Sequence, residues 1–113
     1  MPLIDEALLT EYQNDIGAEK AATLLKIVIS EMEMRSKNAF QAYESDDKEK
    51  MAREFHTVKS ICFMVGATDM GNLAMDIEVN GSEMTTDNMT QKLEQYANVK
   101  EKTIEYLNQR LAS

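Results

Sequence analysis

Residues 51–65, MAREFHTVKSICFMV, carry Met51, Phe55, Val58, Cys62 and Val65 at steps of four, three, four and three residues. On a helix of 3.6 residues per turn these positions form one apolar stripe, so the segment predicts a helix with that stripe in a core. At about 100° per residue, Arg53, His56, Lys59, Ser60 and Phe63 fall on another face, with His56 roughly 140° from the centre of the stripe. The imidazole is expected to face water from the middle of a rigid element. Ser45-Asp46-Asp47 is a turn and N-cap signal, and Gly66 suits a left-handed stop, which bounds this helix at about 47 and 65.

The same period recurs along the chain. Residues 18–44 contain no glycine or proline and keep a helical period through Ala21, Leu24, Leu25, Val28, Met32, Ala39 and Tyr43, predicting one long helix. Its apolar marks shift at Arg35 and Ser36, which predicts exposure or a kink there. Residues 3–16, with Ile4, Ala7, Leu8 and Tyr12 apolar, Asp5 as a cap and Gly17 as a break, read as a short amphipathic helix. A helix of that length is marginal alone, so it is expected to lie as a lid across one end of a bundle. Thr68 or Asp69 can cap a further helix to about 79, with Met70, Leu73, Ala74 and Ile77 on its inner face and Asn80-Gly81 as its end. Asp87 can cap the last helix, whose stripe is Leu93, Tyr96, Ala97, Ile104, Leu107 and Leu111, interrupted by a Lys100 that should snorkel to water. Four main helices with short connections predict an all-α fold: an antiparallel up-down-up-down four-helix bundle with a short N-terminal helix, one domain over residues 1–113.

Composition narrows the function. The net charge of −8 opposes nucleic acid and anionic membrane surfaces as partners, since both are polyanions. The charge is uneven: Lys48, Lys50, Arg53 and Lys59 bracket the histidine, whereas residues 69–87 contain no lysine or arginine. A single cysteine excludes an intramolecular disulfide, and its place on the apolar stripe reads as a packed thiol. No cluster of residues suggests a metal site. With no basic segment followed by an apolar run near the N-terminus, and no apolar stretch of about 18 residues, the protein is expected to be cytoplasmic. Most of the methionines read as core filler; Met64, beside Phe63, is the best candidate for a docking role.

The remaining chemistry lies around His56. An imidazole can attack through one nitrogen while the other is held, and an unperturbed ring is largely unprotonated near neutral pH. It is therefore a good phosphoryl acceptor. Phosphorylation adds about two negative charges, which Lys59, one turn on, is placed to offset and Arg53 can reach from the other side. Arg53 can alternatively pair with Glu49 at i−4.

The spacing His56, Lys59 at plus three, Gly66 at plus ten, Ala67 at plus eleven and Glu78 at plus twenty-two resembles the signature of histidine-containing phosphotransfer (HPt) domains. Met70, Leu73 and Ile77 occupy the apolar positions of the helix that the glutamate ends, so the match runs from Arg53 to Glu78. The one departure is Ser60, where the family commonly has glycine. Some stand-alone members carry serine there, among them quorum-sensing phosphorelay carriers of similar size.

The resemblance implies a phosphorelay intermediate that exchanges a phosphoryl group between His56 and receiver-domain aspartates in two-component signal transduction. It implies a carrier and not a self-sufficient enzyme, with no cofactor of its own, Mg²⁺ coming from the partner receiver. Response-regulator receiver domains and a hybrid sensor histidine kinase are the implied partners. Lys59 and Arg53 would stabilise the phosphoryl group, Ser60 would be the close-approach position and Phe63 and Met64 docking contacts, while Gly66 and Glu78 would be structural. The phosphoacceptor hairpin of dimeric histidine kinases fits less well, because it usually has an acidic residue directly after the histidine and Thr57 stands there. A monomer is expected. The alternative is a non-catalytic helical adaptor that binds a receiver or another acidic partner through the same basic, apolar face.

Overall fold

The computed structural model describes residues 3–112, and among them the chain forms five α-helices and one 3₁₀ turn. α1 spans Glu6–Ile16, α2 Ala18–Glu44, α3 Lys48–Met64, α4 Thr68–Asn80 and α5 Thr86–Ala112, with the 3₁₀ turn at Gly81–Glu83 before α5. α2 to α5 make an antiparallel up-down-up-down bundle in which α3 packs between α2 and α4, while α1 lies across one end against α2 and α3. Residues 1, 2 and 113 of the expected domain lie outside the described residues.

α3 follows its sequence pattern closely. Asp47 caps it by accepting from the Lys50 amide at 3.0 Å, and Met51, Phe55, Val58, Cys62 and Val65 are all buried. Gly66 takes a φ of 79°, where a side chain would be strained, and a Cβ there would stand 2.7 Å from the Asp5 carbonyl oxygen. The close approach is used: the Asp5 amide donates to the Gly66 carbonyl at 2.7 Å, so the end of α3 anchors the start of α1.

Elsewhere packing overrides the local signals. α1 begins at Glu6 under the Asp5 cap, and its buried residue is Leu9, while Ala7 and Leu8 face solvent. The stripe read from Ile4, Ala7, Leu8 and Tyr12 does not fix the phase, because Leu3, Leu9 and Ile16 are apolar as well, and the anchored entry together with Arg110 of α5, which donates to Glu6, Thr10 and Gln13, sets it instead. α2 runs unbroken through Arg35 and Ser36. Ser36 is buried, its hydroxyl 2.5 Å from the Tyr96 hydroxyl of α5, and Arg35 bridges Glu31 and Glu54. A polar pair across two helices thus occupies the place where a lone helix would show a gap in its stripe. Leu24 is exposed.

The caps of α4 and α5 also differ from expectation. Thr68 is the first residue of α4 and bonds back to the Gly66 carbonyl, and Ala67 holds the cap position without a side-chain bond. Thr85, not Asp87, caps α5 by accepting from the Asn88 amide at 3.1 Å. Lys100 reaches outward as expected and meets Glu33 of α2 at 3.3 Å. In the middle of the core Phe55 meets Tyr96 edge-to-face at 5.0 Å between ring centres, which ties α3 to α5 across the bundle. No described helix is long and apolar enough to cross a membrane.

Candidate functional site

His56 stands midway along α3 with 59 % of its side chain exposed. Its face is the one opposite the buried stripe, so the helix packed between α2 and α4 also carries the chain's one imidazole, exposed. α4 runs antiparallel beside it, and this register brings Glu78 to the ring.

The Glu78 carboxylate touches both neighbours. Its Oε2 lies 2.6 Å from His56 Nδ1 and its Oε1 2.9 Å from Lys59 Nζ. Lys59 Nζ also approaches Nδ1 at 3.3 Å. Nδ1 cannot both donate to Glu78 and accept from Lys59. An ionised carboxylate can only accept, so the 2.6 Å contact requires the proton on Nδ1, and the lysine interacts with the carboxylate. In that tautomer Nε2 carries the free lone pair and points away from the cluster.

Partial burial pushes the Glu78 carboxyl upward, but its hydrogen bonds to Lys59 and His56 and the adjacent ammonium outweigh it and hold the group below the usual carboxylate range. Glu78 is therefore ionised at neutral pH.

Of the other residues singled out from the sequence, Arg53 lines a shallow groove with Glu49, Ala52, His56, Thr57 and Glu78, and its guanidinium pairs with Glu49 at 3.3 Å. The two cations nearest the ring thus each hold a carboxylate, and the surface beside His56 is a balanced set of charges, not the plain basic patch the sequence suggested. Ser60 donates to the His56 carbonyl at 3.2 Å and leaves the helix face low. Phe63 and Met64 are exposed, at 38 % and 49 %. Gly66 is structural, as expected. Glu78, expected to be structural, is instead the ring's direct partner. The only signal for it in the sequence was its fixed step of twenty-two residues from His56; no periodicity within one helix can show that two helices meet there.

The helical bundle thus presents one imidazole, held at Nδ1 by Glu78 and exposed to solvent. The chain matches the Hpt domain family over residues 23–111 and belongs to it. It is a histidine phosphotransfer protein of two-component phosphorelays, a phosphocarrier of the kind that works with receiver domains and kinases. The fold is similar to that of histidine-containing phosphotransfer protein B (HptB) from Pseudomonas aeruginosa PAO1, with a TM-score of 0.89 and 16 % identity over 98 % of this chain and 96 % of that one. No curated protein sequence matches the chain significantly.

Proposed function

We propose that His56 is the phosphoryl-bearing residue and that Nε2 is the attacking atom. The observation that carries this reading is the 2.6 Å contact from Glu78 to Nδ1 on an exposed ring. In the transfer, the Nε2 lone pair forms the N–P bond as the P–O bond to a receiver aspartate breaks, and the electrons of that bond leave on the aspartate carboxylate. The Nδ1 proton stays between the ring and Glu78. Positive charge grows on the imidazole as Nε2 becomes bonded, and the adjacent carboxylate offsets it. Kept protonated, the phosphorylated ring remains a good leaving group, which lets the same histidine pass the phosphoryl group on.

Lys59 is the charge partner of the phosphoryl group once it swings from Glu78, and Arg53 reaches the same region if it leaves Glu49. Ser60 is the close-approach position, and Phe63 and Met64 meet the partner. The donors and acceptors are receiver domains of response regulators and of a hybrid sensor histidine kinase, which supply Mg²⁺ and most of the catalytic groups, so the chain depends on them for catalysis. It acts in the cytoplasm as a monomer, a setting that its single free thiol fits.

The test is to incubate the protein with a receiver domain kept phosphorylated by a small phosphodonor and Mg²⁺, and to look for acid-labile, alkali-stable phosphate on the chain. Wild type is expected to be labelled and His56→Gln is not. Binding to receivers without label on either protein points to the adaptor reading instead.

A further inference from the structure

Phe63 lies seven residues after His56, about 20° away around the helix and about 10 Å along it, so the two side chains share one face. Its ring is spread over α4 at Gly71. A Cβ added to Gly71 would stand 2.7 Å from Phe63 Cε1, 3.0 Å from Cδ1 and 3.1 Å from Cys62 Cβ. Gly71 is buried in the first turn of α4, although alanine is the better helix former. Its φ is not in the left-handed region, so backbone conformation does not explain it. Close packing against α3 does, with the Phe63 ring nearest and Cys62 Cβ next.

Resting on the reading of His56 as the acceptor, we infer that Gly71 is a positioning residue for exchange with receiver domains: it is the seat that lets Phe63 lie flat, and so keeps the surface beside His56 low enough for a receiver to bring its aspartyl phosphate to Nε2. A transient protein contact covers about 600 Å² on each partner, a patch of about 14 Å radius. A receiver centred on Nε2 therefore covers Phe63 whatever its orientation. The phosphoryl group moves only if the reacting atoms come within about 3–3.5 Å. A ring lifted by even 1 Å would stand between the two proteins, and misplacements of that size cost up to about a hundred-fold in rate. The receiver surface that fits is itself flat and apolar next to its phosphorylated aspartate, since a half-exposed phenyl ring gains by covering and a charged group opposite it would lose water for nothing.

The experiment compares two phosphoryl donors. Phosphoramidate reaches Nε2 without docking; a phosphorylated receiver must dock. Gly71→Ala is expected to take label from phosphoramidate within about two-fold of wild type and from the receiver at least ten-fold more slowly. In a Phe63→Ala background, itself slow with the receiver, Gly71→Ala is expected to add no further loss. Wild-type receiver transfer in Gly71→Ala, or an equal loss in both backgrounds, overturns the proposal. Circular dichroism verifies the fold. Should Gly71→Ala unfold through its contact with Cys62, Phe63→Ile decides: its β-branched side chain stays apolar but cannot lie flat on Gly71, so phosphoramidate labelling is expected to hold while receiver transfer falls at least about ten-fold, and an unchanged receiver rate overturns the proposal. Failure of phosphoramidate to label wild type at His56 is a different result: it removes the acceptor reading on which the inference rests.

Discussion

Two nucleophilic side chains sit six residues apart on α3 and have opposite fates. Cys62 is sealed in the core, where burial pushes its thiol up to about 12, so it is neutral and inert at cellular pH. His56 faces water, with a carboxylate and an ammonium at its inner nitrogen. Six residues turn a helix through about 600°, which places the two side chains about 120° apart. The comparison shows that the face of the helix, more than the intrinsic reactivity of the residue, decides which nucleophile can work. A thiol is the stronger nucleophile as an anion, but here the anion is denied to it. The imidazole needs only a proton held on the correct nitrogen and space at the other.

The largest expected effect within this contrast concerns Glu78. Glu78→Ala removes the group that selects the Nδ1–H tautomer and offsets the developing charge, and transfer from a receiver is expected to fall about a hundred-fold, in the range found for lost electrostatic stabilisers. Glu78→Gln can still accept from Nδ1 through its carbonyl oxygen but carries no charge, so it should lose less, about ten-fold. Rapid-quench rates on the two variants separate orientation from charge; equal losses would mean that charge alone matters.

Cys62 is the reverse case. Cys62→Ala should leave phosphoryl labelling at His56 unchanged while destabilising the bundle by about 1–2 kcal/mol, the cost of a small core cavity. Denaturant melts measure the second part. A thiol reagent at pH 8 should modify native Cys62 hardly at all and unfolded Cys62 readily, and rapid modification of the native protein would contradict the sealed environment.

Acid provides the next test. A carboxyl whose folded pKa is depressed contributes stability that is present above its unfolded pKa and is lost as pH falls through the folded value. For Glu78 that window opens near the ordinary glutamate value of about 4.3 and extends below it. Thermal melts of wild type and Glu78→Gln should therefore differ at neutral pH and converge in acid as the pH falls through the depressed folded value. A difference that persists unchanged in acid means the Glu78 charge is not its source.

The smallest effect is expected at Arg53. Its pairing with Glu49 is an exposed contact between neighbours on one helix, worth little to stability. Arg53→Gln should leave the melting temperature within experimental scatter and slow receiver transfer at most about three-fold, through the loss of a cation near the incoming phosphoryl group. A loss as large as that of Glu78→Ala would move Arg53 into direct contact with the phosphoryl group.

Much of this architecture was legible in the residues. The stripe on α3, the Asp47 cap, the stop at Gly66, the unbroken run of α2 and the exposure of His56 all follow from a single helix considered by itself. Where the deciding partner comes from another helix, the period of one helix does not show it. Ser36 was read as an exposed or kinked point because nothing near it in the chain answers its hydroxyl; the answer, Tyr96, lies sixty residues away. Leu8 was read as inward and Leu9 was not, because the rotation of α1 is fixed by its anchor to Gly66 and by Arg110, not by its own apolar residues.

The hydrophobic period of α3 alone sets which of its faces turns inward, and hence that the one histidine is open and the one cysteine is closed. That Glu78 holds Nδ1, that Lys59 answers Glu78 and that Phe63 rests on Gly71 come from how the helices meet. The reason is geometric. Periodicity sets the phase of a helix about its own axis, and it says nothing about how far one helix slides along another. That sliding is set by side chains meeting between α3 and α4, and a slip of one turn, about 5.4 Å, would separate the carboxylate from the imidazole entirely.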